Sequence, residues 1–200
     1  MFADRFREDS VSGVGGTSRT GNLSNPYAVA NDEIGNFFKN NINMDGINMP
    51  YLTSNNAAYR KSSLDKVGGF DREFRIGAEE RDLNFRLVEA GERLFYDSRI
   101  VIDHYNNAGF IQFLRHQFEQ GKGSYLLYRN AKRRFGKRPP MIPLHIYFRL
   151  MLHPFASRRF FNAILISLLF VLAQVAVFIG YTFQSMKRLE SVAALTLIIS

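Results

Sequence analysis

Residues Thr53–His104 read TSNNAAYRKSSLDKVGGFDREFRIGAEERDLNFRLVEAGERLFYDSRIVIDH, and this stretch decides the fold. Its second half predicts a helix starting at Glu79 and Glu80, where unpaired backbone N–H groups and the helix dipole favour carboxylates. Leu83, Leu87 and Ala90 fall at helical spacing and give it one apolar face. Asp82 and Arg86, four apart, are expected to pair on the other side, worth about 0.2–0.5 kcal/mol. Gly91 then closes the helix. A shorter helix precedes it. Ser62 and Asp65 stand at capping-box spacing, Leu64 and Val67 face inward, Gly68 and Gly69 stop the turn, and Phe70 anchors the next loop in the core. Leu94–Tyr96 and Ile100–Ile102 predict two short strands, with Asp97 and Ser98 at the turn between them and His104 at the end. The stretch therefore presents an acid pair at one rim and a histidine at a strand end. Taken alone, each has a bland explanation. Acids in a first turn stabilise helices, a strand-end histidine is usually structural, and Asn55 and Asn56 suit an ordinary turn.

Working outward, Val11–Gly16 (VSGVGG) predicts a short buried strand ending in a Gly turn. It lacks both the P-loop lysine and the Rossmann glycine spacing, so it is no phosphate loop. Thr17–Pro26 is polar and reads as a loop. Tyr27–Phe38 has helical character, with Ala28, Ile34, Phe37 and Phe38 as core contacts, and Asn40–Met49 is an Asn-rich loop beside the site. Beyond His104, the spacing of Phe110, Phe113, Leu114 and Phe118 predicts a helix that ends at Gly121.

The chain has 200 residues and no Cys, which suits one domain with appendages and excludes a disulfide framework. Met1–Phe6 lacks the apolar run of a signal peptide. The net charge is +8, yet Arg129–Arg159 alone holds nine Lys/Arg and no Asp or Glu, so the basicity is local. Its place just before an apolar run favours membrane lipids, through anionic headgroups, over nucleic acid as partner. Phe160–Phe183 carries no charge over 24 positions, about 36 Å of helix, enough to cross a hydrocarbon core of about 30 Å. The basic flank lies upstream, which places the preceding domain on the cytoplasmic side of the inner (cell) membrane. Ser191–Ser200 reads as the start of a second membrane helix.

The run Asn55–Ser62 followed by Val67-Gly68-Gly69-Phe70-Asp71 resembles the acceptor-loop segment of family 2 glycosyltransferases. Glu79-Glu80-Arg81-Asp82-Leu83 with Arg86-Leu87 is similar to that family's Glu-Asp-x-Asp-Leu-x-x-Arg-Leu signature, and Tyr96–His104 resembles the strand that ends in its His. The likeness runs from roughly 11 to 123. It implies an α/β fold, part of a GT-A (Rossmann-like) domain, and inverting transfer of a sugar from a nucleotide sugar to a polysaccharide or lipid-linked acceptor.

On that resemblance Glu80 is the catalytic general base. Asn55, Asn56, Glu79, Asp82 and Arg115 are substrate-binding candidates, with Asp82 orienting the helix or its Arg neighbour, and His104 contacts the metal or diphosphate. A divalent cation, Mg²⁺ or Mn²⁺, is the implied cofactor. The sequence departs from the family in four places. Glu80 stands for Asp, Ser98 for Pro, His116 for the Trp of the Gln-x-x-Arg-Trp motif that Gln112 and Arg115 begin, and no Asp-x-Asp occurs.

The expected organisation is the C-terminal half of a GT-A domain over 1–128, a basic linker and interfacial helix over 129–159, a transmembrane helix over 160–183, and the second apolar segment over 191–200. On this reading the nucleotide-binding half lies outside the chain, which alone does not transfer sugar. The missing Asp-x-Asp and the Glu for Asp also suit an alternative, a non-catalytic membrane-anchored subunit or remnant that needs a partner chain.

Overall fold

The computed structural model describes residues 2–8, 10–44, 52–75 and 77–199. In order, the elements are α1 (Phe2–Arg5), β1 (Val11–Thr20), α2 (Pro26–Met44), a 3-10 turn at Ser54–Asn56, β2 (Ala57–Tyr59), α3 (Lys61–Val67), α4 (Glu79–Glu89), β3 (Arg93–His104), α5 (Phe110–Phe135), α6 (Leu144–Leu152), a second 3-10 turn at His153–Ala156, and α7 (Phe160–Ile199). The fold is mixed α/β, with a three-stranded sheet in the order β2-β1-β3 and one long apolar helix. β1 runs antiparallel to β2 and parallel to β3.

β1 is the central strand, and it continues through the predicted Gly turn. Its glycines make room for neighbours. A Cβ on Gly15 would stand 2.6 Å from the Leu52 side chain, and one on Gly16 would stand 2.1 Å from the Ile100 carbonyl. The two strands expected around Asp97 and Ser98 are one strand. Both halves pair with β1, and the register jumps from Gly15↔Tyr96 to Thr17↔Val101. The intervening residues form a bulge, in which Asp97 accepts hydrogen bonds from the Arg99 backbone N–H and guanidinium and from Arg5. The cations hold its carboxyl well below the usual range.

Several local expectations change. Ser62 lies inside α3, whose N-cap is Arg60, so no capping box forms; Asp65 pairs instead with Lys61 at 2.7 Å. Phe70 is 47% exposed and does not anchor a core. Gly68, with φ 77°, does end α3. α2 carries Ala28, Ile34, Phe37 and Phe38 into the core as read, and continues to Met44, beyond the expected loop start at Asn40. The rest of that expected loop, 45–49, falls outside the described residues. α5 passes straight through Gly121. The apolar segments at 160–183 and 191–200 belong to one unbroken helix.

The largest core cluster joins Phe37 of α2, Phe113 of α5, Ile146 and Leu150 of α6, and Ile166 and Phe170 of α7. A second, of Leu52, Leu83, Leu87 and Leu94, seats α4 against the sheet.

Candidate functional site

Two polar clusters flank the sheet. The first is built on the N-terminus of α4. Gly77 (φ 89°) and Ala78 (φ 64°) are both left-handed, and Ala78 is the single non-Gly residue with positive φ among the described residues. An L-residue there costs roughly 1–2 kcal/mol, which the surroundings must hold in place. They do so by packing. Ala78 is buried with Phe74, Leu126 and Leu127, and a Cβ on Gly123 of α5 would stand 1.9 Å from the Gly77 carbonyl. The turn thus rests on the α5 backbone and aims Glu79 and Glu80 along it.

Both carboxylates are half-buried, and each keeps Oε2 shielded from solvent without a hydrogen-bond partner. Burial and the charge of Glu79 push the Glu80 carboxyl above its usual range, against a backbone hydrogen bond and Arg81. The Tyr59 phenol is also pushed up, by burial and by Glu80, although its OH donates to Asn84 Oδ1 at 2.7 Å. Asn84 in turn donates to the Leu52 carbonyl. Across from the acids, His116 of α5 is held below its ordinary pKa by the crowding protein, with Glu79 pulling the other way. Arg81 donates to Ser124 Oγ at 3.1 Å, which ties the helix start to α5.

Asp82 points inward and is 2% exposed. It accepts from Arg86 at 2.7 Å and Arg134 at 3.3 Å. The pair is buried, where the sequence implied a surface one. Burial raises the Asp82 carboxyl and the two arginines oppose it. Asp82 therefore locks α4 to α5.

The second cluster lies between α2 and the C-terminal ends of β1 and β3. His104 Nδ1 stands 2.9 Å from Asp32 Oδ1. Asp32 is 7% exposed, and its Oδ2 has no hydrogen-bond partner; neither do Ser18 Oγ and Asn36 Oδ1 nearby. Asp32, Asn36 and Lys39 share one face of α2. Lys39 is 2% exposed, and burial lowers its pKa to about 8 against the pull of Asp32. Its Nζ reaches the Gly16 carbonyl at 3.5 Å and Thr53 Oγ1 at 3.4 Å, and Thr53 donates to Asn55 Oδ1 at 2.8 Å. Two short polar links result, His104–Asp32 at one end and Lys39–Thr53–exposed Asn55 at the other, and Asp32 acts on Lys39 through its charge.

Asn56, two-sided in its bonding, donates to the Thr17 and Ile100 carbonyls and bridges β1 to β3 at the register shift. Arg115 is exposed on α5. Asp32 and Lys39 were missed in the sequence. Their helical spacing with Asn36 was the available signal, but the apolar face of the same helix dominated the reading.

Among the described residues no group of three or more His, Asp or Glu side chains forms a metal cage. His104 fits a metal as one ligand. A carboxylate on Nδ1 fixes the tautomer and leaves Nε2 as the donor atom, the usual support of a metal-binding histidine.

No protein-family profile matches the chain. Over 122 residues it is 29% identical to the O-antigen chain rhamnosyltransferase WbaN of Salmonella anatum. The match covers 58% of this chain and 38% of that protein, so the chain spans well under half of the relative's length. The likeness supports a glycosyltransferase.

Proposed function

We propose that the chain is the acceptor-side part of an inverting, family 2-like glycosyltransferase with a GT-A domain, and that Glu80 is its general base. The observation that carries this is the unpartnered Oε2 of Glu80, held at a helix start with a raised pKa, in a chain similar to a rhamnosyltransferase. A base must reach the hydroxyl proton and have a pKa suited to taking it. Glu80 Oε2 accepts the proton of the acceptor hydroxyl while that oxygen attacks the anomeric carbon of a nucleotide sugar. The C–O bond to the diphosphate breaks as the new one forms, and the anomeric configuration inverts.

Glu79 keeps the Glu80 proton affinity high by repulsion. In this reading Asn55 and Arg115, both exposed, contact acceptor or diphosphate, while Asp82 and Asn56 hold the frame. His104, backed by Asp32, offers Nε2 to a divalent cation, Mg²⁺ or Mn²⁺. Such a cation, when bound, neutralises diphosphate charge.

Rhamnose is the first sugar to test, with a lipid-linked or polysaccharide acceptor at the inner membrane and the catalytic side cytoplasmic. The native gene product is incubated with a nucleoside-diphosphate rhamnose and a membrane acceptor fraction, and the product anomer is read by NMR. Inversion relative to the donor is expected. Retention, or no transfer from any of a panel of nucleotide sugars, contradicts the proposal.

A further inference from the structure

We infer that α7 lies in the plane of an anionic lipid bilayer, with one face in the acyl chains, instead of crossing the membrane. A crossing helix needs about 20 consecutive apolar residues to span a core of about 30 Å, and whatever it docks against must also suit the bilayer. The stretch of α7 long and apolar enough to do so is Phe160–Leu189. Most of that stretch is docked along one side. Ala163, Ile166, Leu169, Phe170 and Ala173 are buried against α2, α5 and α6.

Further along, the docking tightens to backbone contact. A Cβ on Gly121 of α5 would stand 2.0 Å from the Val177 carbonyl, and one on Gly180 of α7 would stand 2.0 Å from the Phe118 carbonyl. Phe118 meets Phe183 at 5.7 Å and Tyr125 meets Tyr181 at 5.5 Å between ring centres. From Ala163 to Phe183 this spans about 30 Å of helix, the length a crossing would use.

The neighbouring α5 is not a membrane helix. Beside the contact it carries the Glu119–Lys122 ion pair at 2.8 Å and Ser124, which is bonded to Arg81. A crossing α7 would carry these groups into the hydrocarbon region, where ionisable side chains are costly.

The opposite face of α7 is a single exposed apolar stripe, including Phe161, Ile164, Leu168, Val175, Phe178 and Ile179. It is joined to the exposed Leu144, Phe148 and Leu152 of α6 through Phe155, whose ring lies 6.1 Å from Phe160. A surface of this extent marks an interaction site. Its flanking charges choose the occupant. Exposed Arg159 lies at one end and exposed Arg188 at the other, and 129–189 contains no Asp or Glu, the next acid being Glu190. A crossing helix would put these cations on opposite membrane faces. An in-plane helix sets both in one headgroup layer, where each meets anionic lipid.

The absence of cysteine makes the test direct. Ser157→Cys and Arg188→Cys are introduced singly into the native gene product, with Ser185→Cys as a second reporter beyond the docked segment. Sealed vesicles with the cytoplasmic face outward are treated with a membrane-impermeant maleimide, with and without detergent. Equal labelling at both ends without detergent is expected, together with flotation of the protein on phosphatidylglycerol vesicles. Labelling of Arg188→Cys or Ser185→Cys only after detergent would overturn the inference, as would failure to float or a dimer that buries the stripe. None of these readouts depends on sugar transfer, so the outcome is independent of the catalytic proposal.

Discussion

Glu80 and Glu79 stand side by side at a helix start, each with an oxygen that is out of water and without a partner. For Glu80 the burial cost and the repulsion between them exceed the help from Arg81 and the backbone. A base works only when deprotonated, so raising its pKa moves the acid limb of the pH–rate profile upward. The kcat/KM of sugar transfer is expected to fall with acid at a midpoint above the ordinary glutamate value of about 4.3. Glu79→Gln should move that midpoint down, as a pH–rate profile of the variant will show.

Lys39 carries the opposite sign. Its folded pKa of about 8 lies below the ordinary 10.5. Between those values the unfolded chain binds the proton more readily, so stability rises with pH across the interval and is flat below it. Urea titrations at pH 7 and pH 10 should show this rise, of order 1–3 kcal/mol, and Lys39→Met should abolish it.

The acid pair was legible because charge at a helix start is a local pattern. Lys39 and Asp32 were not. Nothing local tells a buried lysine from an exposed one, and Asp32 meets His104 across 72 residues of chain.

At the scale of elements, α5 is the rod on which the site is mounted. Gly123 receives the Gly77 turn, and Gly121, two residues earlier and on another side of the helix, receives α7. The sequence reading took Gly121 for a helix end because glycine usually weakens a helix interior. Here it permits backbone contact with a helix that begins 39 residues later, which a local reading does not see. In an open helix Gly→Ala gains about 0.5–1 kcal/mol. At Gly121 the sign should reverse. The added methyl displaces the Val177 backbone and costs on the order of 1–3 kcal/mol, measurable as a lower denaturation midpoint.

The start and end of α4 were read correctly from its acids and Gly91. The bulge of β3 was not, since Asp97 and Ser98 look the same in a turn and in a register shift. Asp82 shows the energetic side of the same limit. Spacing predicted its Arg86 partner but not its burial, which depends on α5 supplying Arg134. Removing one partner of a buried pair costs about 3–5 kcal/mol, so Asp82→Ala should unfold the protein at markedly lower denaturant or temperature.

Across the whole molecule, composition revealed the apolar run and the basic stretch before it; it did not reveal that the first part of the basic stretch continues α5 to Phe135, or that the apolar run belongs to a single helix, Phe160–Ile199. Nor did it reveal that much of the basic stretch is spoken for. Arg129 pairs with Glu73, Arg134 with Asp71 and Asp82, Lys137 with Glu89, and Arg158 with Glu33. These pairs fasten α5 and the α6–α7 region to the site-bearing half. The molecule is accordingly a small sheet and an acid-tipped helix mounted on α5, with α7 laid along the other side of that rod.

The most direct measurement is the rate of sugar transfer by the native gene product and by its Glu80→Gln variant, with circular dichroism confirming an unchanged fold. Loss of about 10²–10⁴-fold in kcat with little change in donor KM is the predicted result. Undiminished turnover by a folded Glu80→Gln protein would contradict the assignment of Glu80 as the base.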